Sequence, residues 1–270
     1  MKIALSIAGS DSGGGAGIQA DLLTFAAHGV HGTTAITAIT AQNTVAVTSW
    51  QALEPAMVRA QIEAVADDME IEALKTGMLA NRAIIEEVAR VIAERGLRNL
   101  VVDPVMVAKS GDRLLDASAE AAYVERLFPL AALITPNLPE AAALLSRPIT
   151  SVAEMKEAAL DLRRLGARAV LVKGGHLSGD PTDVLWDGAA LHELPTPRID
   201  TKNTHGTGCT YSAAITARLA LGDDIATAVR GAKTYLTAAI EESYSPGRGH
   251  GPVRHLNRAA VAALGRARVR

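Results

Sequence analysis

The chain has 270 residues, 49% hydrophobic and 21% charged, a globular composition that excludes a disordered chain. Lys plus Arg number 27 against 29 for Asp plus Glu, so the basic excess that marks nucleic-acid binding is missing. The single cysteine, Cys209, excludes an intramolecular disulfide and a Cys-rich zinc site, and it favours a reducing cytoplasm.

The first apolar run, Ile3 to Ala8, is too short for a signal-peptide core, and no stretch approaches the ~18 apolar residues of a membrane helix. Ile3–Ile7 therefore predicts a buried first strand, followed by a Gly-rich loop and a helix from Ile18 to His28. Thr33–Thr40 predicts a β-branched strand, and Val45–Leu53 another. Pro55 suits the first turn of a helix running to Asp68. A short strand, Ala73–Thr76, precedes a helix capped by Asn81, running to Arg95 and stopped by Gly96. Leu100–Val102 is a strand closed by Asp103-Pro104, and Ser118–Leu127 a helix leading into strand Ala132–Thr135. Ser151 opens a helix to Leu165, stopped by Gly166, and Ala169–Val172 is a further strand. Val184–Trp186 and Ala190–Leu194 predict a hairpin around Asp187-Gly188. The last third is helical: Cys209–Leu221, Ile225–Glu242 and Val253–Leu264.

Strands separated by helices imply parallel pairing through right-handed crossovers, hence a three-layer α/β/α domain around a mostly parallel sheet. No linker divides residues 1–270, so one domain is expected. Asp11, Gln42, Asp103, Asn137 and Lys173 all follow strands, at the sheet edge where open parallel sheets bind ligands.

Several motifs fail on inspection. Gly15-Ala16-Gly17-Ile18-Gln19-Ala20 resembles a dinucleotide fingerprint, but no acid ends the second strand. There is no P-loop, no H-E-x-x-H and no G-x-S-x-G. His205 and Cys209 could share a helix face as metal ligands, but no acid cluster accompanies them. The Arg-rich tail, Arg266 to Arg270, is expected to be a solvated end.

The segment that carries chemistry is Asn203-Thr204-His205-Gly206-Thr207-Gly208-Cys209-Thr210, directly before an Ala-rich helix. Its glycines allow close backbone approach, and the first helical N–H groups would point at an anion, aided by the helix dipole. This suits a transferring phosphoryl group. In that field the Cys209 thiol is expected below its ordinary pKa, ready to take a proton from an attacking alcohol. A buried structural cysteine is the alternative.

N-T-H-G-T-G-C-T resembles the anion-hole signature of the hydroxymethylpyrimidine/phosphomethylpyrimidine kinases of thiamine biosynthesis, in the ribokinase-like superfamily. Further matches run collinearly: residues 8–21, T-A-Q-N-T at 40–44, K-T-G-M-L at 75–79, D-P-V-M-V-A-K-S-G at 103–111, residues 133–141, V-K-G-G-H at 172–176 and G-H-G-P-V at 249–253. The resemblance implies the ribokinase-like fold, ATP and Mg²⁺ as cofactors, and a homodimer. It implies Cys209 as catalytic base, with Gly206 and Gly208 in the anion hole. Gln42 would contact the aminopyrimidine, whose ring nitrogen and amine an amide can match. Asp11, Gly9, Met78 and Val105 would lie beside that ring. Lys173, Thr204, Asn137 and Lys233 would serve ATP, and Glu140 with Asp103 the metal. Asn137 and Glu140 could equally form a capping box, and Asp103 a turn before Pro104. Lys109-Ser110-Gly111-Asp112 would form a flap that excludes water.

The implied activity is phosphorylation of 4-amino-5-hydroxymethyl-2-methylpyrimidine and of its monophosphate. A pyridoxine/pyridoxal kinase is the alternative, and a non-catalytic pyrimidine sensor a more distant one. Neither a nucleic-acid nor a membrane partner is expected.

Overall fold

The structure, a computed structural model, describes residues 1–106 and 117–267. The expected flap at 109–112 lies outside the described residues. Ten strands are present among the described residues: β1 Ile3–Ala8, β2 His31–Ile36, β3 Ala38–Gln42, β4 Val47–Ala52, β5 Ala73–Thr76, β6 Leu100–Val102, β7 Ala131–Ile134, β8 Val170–Val172, β9 Asp183–Trp186 and β10 Leu191–Leu194. The helices are α1 Gly17–Ala27, α2 Pro55–Ala66, α3 Arg82–Arg95, α4 Ala117–Ala122, α5 Leu138–Leu145, α6 Val152–Leu162, α7 Thr207–Ala220, α8 Ile225–Glu241 and α9 Arg258–Ala267.

Eight strands form one sheet in the order β10-β9-β8-β7-β6-β5-β1-β2. Pairing is parallel from β2 to β8 and antiparallel where β9 and β10 close the edge. The strand side chains sort by alternation into two cores. Leu5, Leu74, Leu100, Val170 and Val184 face α2, α3 and α6, whereas Ala4, Ala73, Val101, Leu171 and Leu185 face α1, α7 and α8. Helices thus cover both faces of a mostly parallel sheet, the expected three-layer α/β/α architecture.

Local signals placed the helix ends. Asn81 Oδ1 accepts from the Ile84 amide, and Gly96 ends α3 at φ +60°. Ser151 and Glu154 form a reciprocal capping box at α6. Asp224 caps α8 through the Thr227 amide.

Two expected elements differ. The strand expected over 33–40 is broken at Thr37, whose amide bonds to Ala8 O (3.0 Å) and whose hydroxyl donates to Met78 O (2.6 Å). The chain there leaves the main sheet, and β3 pairs with β4 as a separate two-stranded ribbon. The helix expected from Val253 begins only at Arg258. The amide of Val253 bonds to His205 O and that of Arg254 to Ala239 O, so these residues form a strap across the molecule.

Candidate active site

The carboxyl ends of β1, β5, β6, β7 and β8 converge on the N-terminus of α7. Gly206 precedes α7 at φ +76°, and a Cβ there would lie 1.8 Å from Gly15 O, so the loop before α7 packs backbone against the Gly-rich loop. The amides of Gly208 and Cys209 fall in the first helical turn, where the helix supplies no carbonyl partner. A cavity of about 750 Å³ opens in front of them.

Of the expected residues, Cys209, Gly206, Gly208, Asp103, Val105, Asn137, Glu140, Lys173, Thr204 and Lys233 all line this cavity. Lys173 Nζ donates to Asp103 Oδ1 at 2.7 Å, and both groups lie 3.6 Å from where a Cβ on Gly208 would sit. Asp103 also accepts from Thr135 Oγ1 (3.1 Å) and Ser212 Oγ (3.3 Å). Asn137 and Glu140 do form a capping box, with amide contacts of 2.9 and 2.7 Å. Burial nevertheless pushes the Glu140 carboxyl up to about 7, with the Lys173 ammonium working against that rise. Lys233 Nζ is committed to Asp183 Oδ2 (2.7 Å) and Pro181 O (3.2 Å), so it ties the β9 edge to α8. Pro197, Ile199, Leu236 and Ile240 supply an apolar lining.

Gln42, Asp11, Gly9 and Met78 are not part of that lining. They gather behind His205 and the Gly-rich loop. A Cβ on Gly9 would meet Met78 Cε at 2.7 Å. Asp11 is 2% exposed, and its carboxylate accepts from the amides of Gly13, Gly15 and Ala16 and lies 2.8 Å from His205 Nε2. Its oxygens therefore organise the Gly-rich loop.

The Cys209 thiol corrects the expectation drawn from the helix terminus. Burial pushes it up to about 11, and the nearby Asp21 and Asp103 carboxylates reinforce the rise. The Lys75 ammonium and the Gly17 amide act in the opposite direction without overcoming it. Desolvation disfavours the thiolate more than one helix end favours it.

Sequence reasoning passed over the support beneath this thiol. Lys75 on β5 and Asp21 on α1 are both fully buried, with Nζ 2.8 and 2.9 Å from the two carboxylate oxygens, and Ser6 Oγ donates to Asp21 Oδ2 at 2.5 Å. Burial works to lower the Lys75 pKa, but the Asp21 carboxylate outweighs it and holds the ammonium above its ordinary value. The available signal was a charge inside each of two apolar elements, A-L-K-T and I-Q-A-D-L-L. His205, weighed only as a metal ligand, instead joins the two glycine loops. Among the described residues no group of three or more metal-binding side chains occurs, and no helix is long and apolar enough to cross a membrane.

A sheet-edge cavity facing unsatisfied helix-terminal amides, a lysine and two acids has the equipment of a phosphoryl-transfer enzyme. The family model for phosphomethylpyrimidine kinase matches residues 11–254, and the chain belongs to that family. It is 54% identical over 260 residues to the hydroxymethylpyrimidine/phosphomethylpyrimidine kinase of Rhizobium meliloti, covering 95% of this chain and 97% of that one. It is 52% identical over 253 residues to the thiamine biosynthesis bifunctional protein ThiED of Geobacter sulfurreducens, covering 93% of this chain but spanning only 52% of that longer protein. The crystal structure of a Bacillus subtilis pyridoxal kinase in complex with ADP superposes with a TM-score of 0.90 at 43% identity, covering 97% of this chain and 99% of that one. The fold is thus ribokinase-like, and the enzyme an ATP-dependent kinase.

Proposed function

We propose that this chain phosphorylates the hydroxymethyl group of 4-amino-5-hydroxymethyl-2-methylpyrimidine, and then the monophosphate to the diphosphate, in thiamine biosynthesis. The observation that carries the reading is the position of Cys209. It sits at the start of α7, where the cavity meets the wall formed by His205 and the Gly-rich loop, with Gln42 beyond. The whole chain acts as one kinase domain.

ATP occupies the cavity, its base against Pro197, Ile199, Leu236 and Ile240 and its phosphates toward Lys173. The Gly206–Cys209 backbone stabilises the transferring group. The alcohol oxygen attacks the γ-phosphorus, the bond to the β-phosphate oxygen breaks to release ADP, and the alcohol proton passes to the Cys209 sulfur. Thr204 and Asn137 line the phosphate path. Lys233 acts indirectly, since Asp183 holds its ammonium.

Glu140 and Asp103 fit a divalent cation held through water and phosphate oxygens: two carboxylates face one cavity, and Lys173 neutralises only one of them. When bound, Mg²⁺ supplies neutralisation of the nucleotide phosphates. Gln42 reads the aminopyrimidine, with Gly9, Met78 and Val105 beside the ring and Asp11 shaping the loop.

The reading is tested by incubating the protein with ATP, Mg²⁺ and the hydroxymethylpyrimidine and weighing the products by mass spectrometry. Mono- and diphosphate are expected. A second reading, pyridoxal phosphorylation, is favoured by the close likeness to the B. subtilis pyridoxal kinase. Phosphorylation of pyridoxal alone in a parallel tube would replace the first reading with the second.

Two properties accompany this function. The β3–β4 ribbon exposes Ile39, Val47 and Trp50, each at least half exposed, which supports a homodimer through that ribbon. Sedimentation should give twice the chain mass, and Trp50→Asp should shift it to monomer; a wild-type monomer at micromolar concentration removes the dimer. The single thiol supports a reducing, cytoplasmic setting.

A further inference from the structure

Three side chains at the wall between the two glycine loops form a hydrogen-bonded chain with a definite polarity. His205 Nε2 lies 2.8 Å from Asp11 Oδ2 and 3.5 Å from Gln42 Nε2, and Gln42 Oε1 lies 3.4 Å from Thr40 Oγ1. Asp11 Oδ2 also accepts from the amides of Gly15 (3.1 Å) and Ala16 (2.9 Å). Burial works to raise the Asp11 carboxyl, but His205 and the loop amides hold it below its ordinary value. An ionised carboxylate only accepts, so the proton between Asp11 and His205 resides on His205 Nε2.

That leaves Nε2 with no lone pair, its hydrogen donated to Asp11. An amide NH₂ facing it 3.5 Å away finds no acceptor, whereas the Gln42 oxygen there takes a weaker second share of the Nε2–H, so the carbonyl end belongs toward His205. The two ends of a glutamine amide are assigned from such networks. The other end agrees. Thr40 Oγ1 donates to Ser10 O at 2.9 Å, which spends its hydrogen, and it lies 3.4 Å from the Gln42 amide. Its free lone pair accepts an NH₂ there, whereas a carbonyl would compete for a hydrogen already used. Both neighbours select one orientation.

We propose that His205 is a specificity-determining positioning residue: with its proton pinned by Asp11, it fixes the amide orientation of Gln42 and so the donor–acceptor polarity shown to the substrate. This rests on the reading that Gln42 faces the pyrimidine. A fixed amide offers one N–H and one oxygen lone pair side by side. They match a ring nitrogen that accepts beside an exocyclic amine that donates. The 4-oxo analogue presents the reverse, a ring N–H beside a carbonyl. It cannot turn over to compensate, because its hydroxymethyl group must face Cys209. The site is thereby built for 4-amino heteroaromatic alcohols and against their lactam counterparts.

The test compares kcat/KM for the 4-amino substrate and its 4-oxo analogue in wild type, His205→Phe and His205→Gln. The wild-type ratio should be about 10² or more, the range for a site whose polar groups are left mismatched. Phenylalanine keeps the ring packing against Gly15 but has no donor. Thr40 alone then holds the Gln42 amide, through a 3.4 Å contact, and the ratio should fall at least about tenfold. Glutamine restores an N–H near the Nε2 position and should recover most of the ratio. General damage to the site lowers both substrates together and cancels in the ratio. An unchanged ratio in His205→Phe overturns the inference while leaving the kinase reading intact. A wild type inactive on the amine overturns both. Should His205→Phe not fold, ¹⁵N NMR of the wild type decides: a protonated His205 Nε2 at neutral pH is expected, and a bare one overturns the assignment.

Discussion

Replacing Cys209 with alanine should lower kcat by about 10²–10⁴-fold, the range for loss of a general base, with the fold preserved. The wild type should also show a distinctive pH dependence. A base works in its deprotonated form, and burial pushes the Cys209 thiol up to about 11, so at pH 7 to 9 the thiolate is the minor form. Raising the pH through this window increases that form about tenfold per unit, and kcat should climb with it. Lys75 and Lys173 are held above their ordinary values, so they keep their charges over the same window. Cys209→Ala should lose both the rate and the slope. A variant with near wild-type turnover, or one that keeps the slope, would remove Cys209 from the proton-transfer step. Cys209→Asp is a harsher test. The new carboxylate would join Asp21 and Asp103 in a buried site that already disfavours negative charge.

Gly206→Ala should be damaging in two ways at once. The residue sits at φ +76°, where an L side chain is strained, and its Cβ would lie 1.8 Å from Gly15 O. Both partners are backbone, so no rotamer change relieves the contact. Prising the Gly-rich loop from the anion-hole loop should cost about 2–4 kcal/mol of stability, read in a thermal or denaturant melt. It should also lower kcat/KM at least about 10²-fold, because donors aimed at developing charge lose their effect when displaced by an ångström. Gly208→Ala supplies the contrast. Its Cβ would stand 3.6 Å from Asp103 and Lys173, in ordinary contact, so the fold should melt near wild type. Normal stability in Gly206→Ala would show that the two loops do not depend on one another.

The two glycines look alike in G-T-G-C, and the φ of +76° at Gly206 and its contact with Gly15, nearly two hundred residues away, tell them apart. The same limit recurs across the site. Asn81, Gly96 and the Ser151–Glu154 pair could be read as helix ends because a cap is a bargain between residues three or four apart. The G-T-G-C helix start was legible for the same reason. The Lys75–Asp21 pair spans 54 residues and the Asp11–His205 contact 194, and no periodicity encodes either. The resemblance placed Asp11 beside the pyrimidine, and nothing in the linear chain shows that its oxygens also hold Gly13, Gly15, Ala16 and His205. The break at Thr37 was invisible because β-branched residues favour extended backbone on both sides of it, while the bond to Ala8 O decides where the chain turns away.

Local pattern and composition were enough for the layered fold and most of its strands and helices, though not for the helix Leu138–Leu145, and for the G-T-G-C helix start as a candidate anion cradle. Alternation, capping and turn chemistry act over a few residues and survive in the linear chain. The protonation of Cys209, the commitment of Asp11 and Lys233, and the orientation of Gln42 belong to the packed molecule. Each depends on how much water has been excluded and on which charge or hydrogen-bond partner has been brought alongside, and those quantities exist only once distant segments meet.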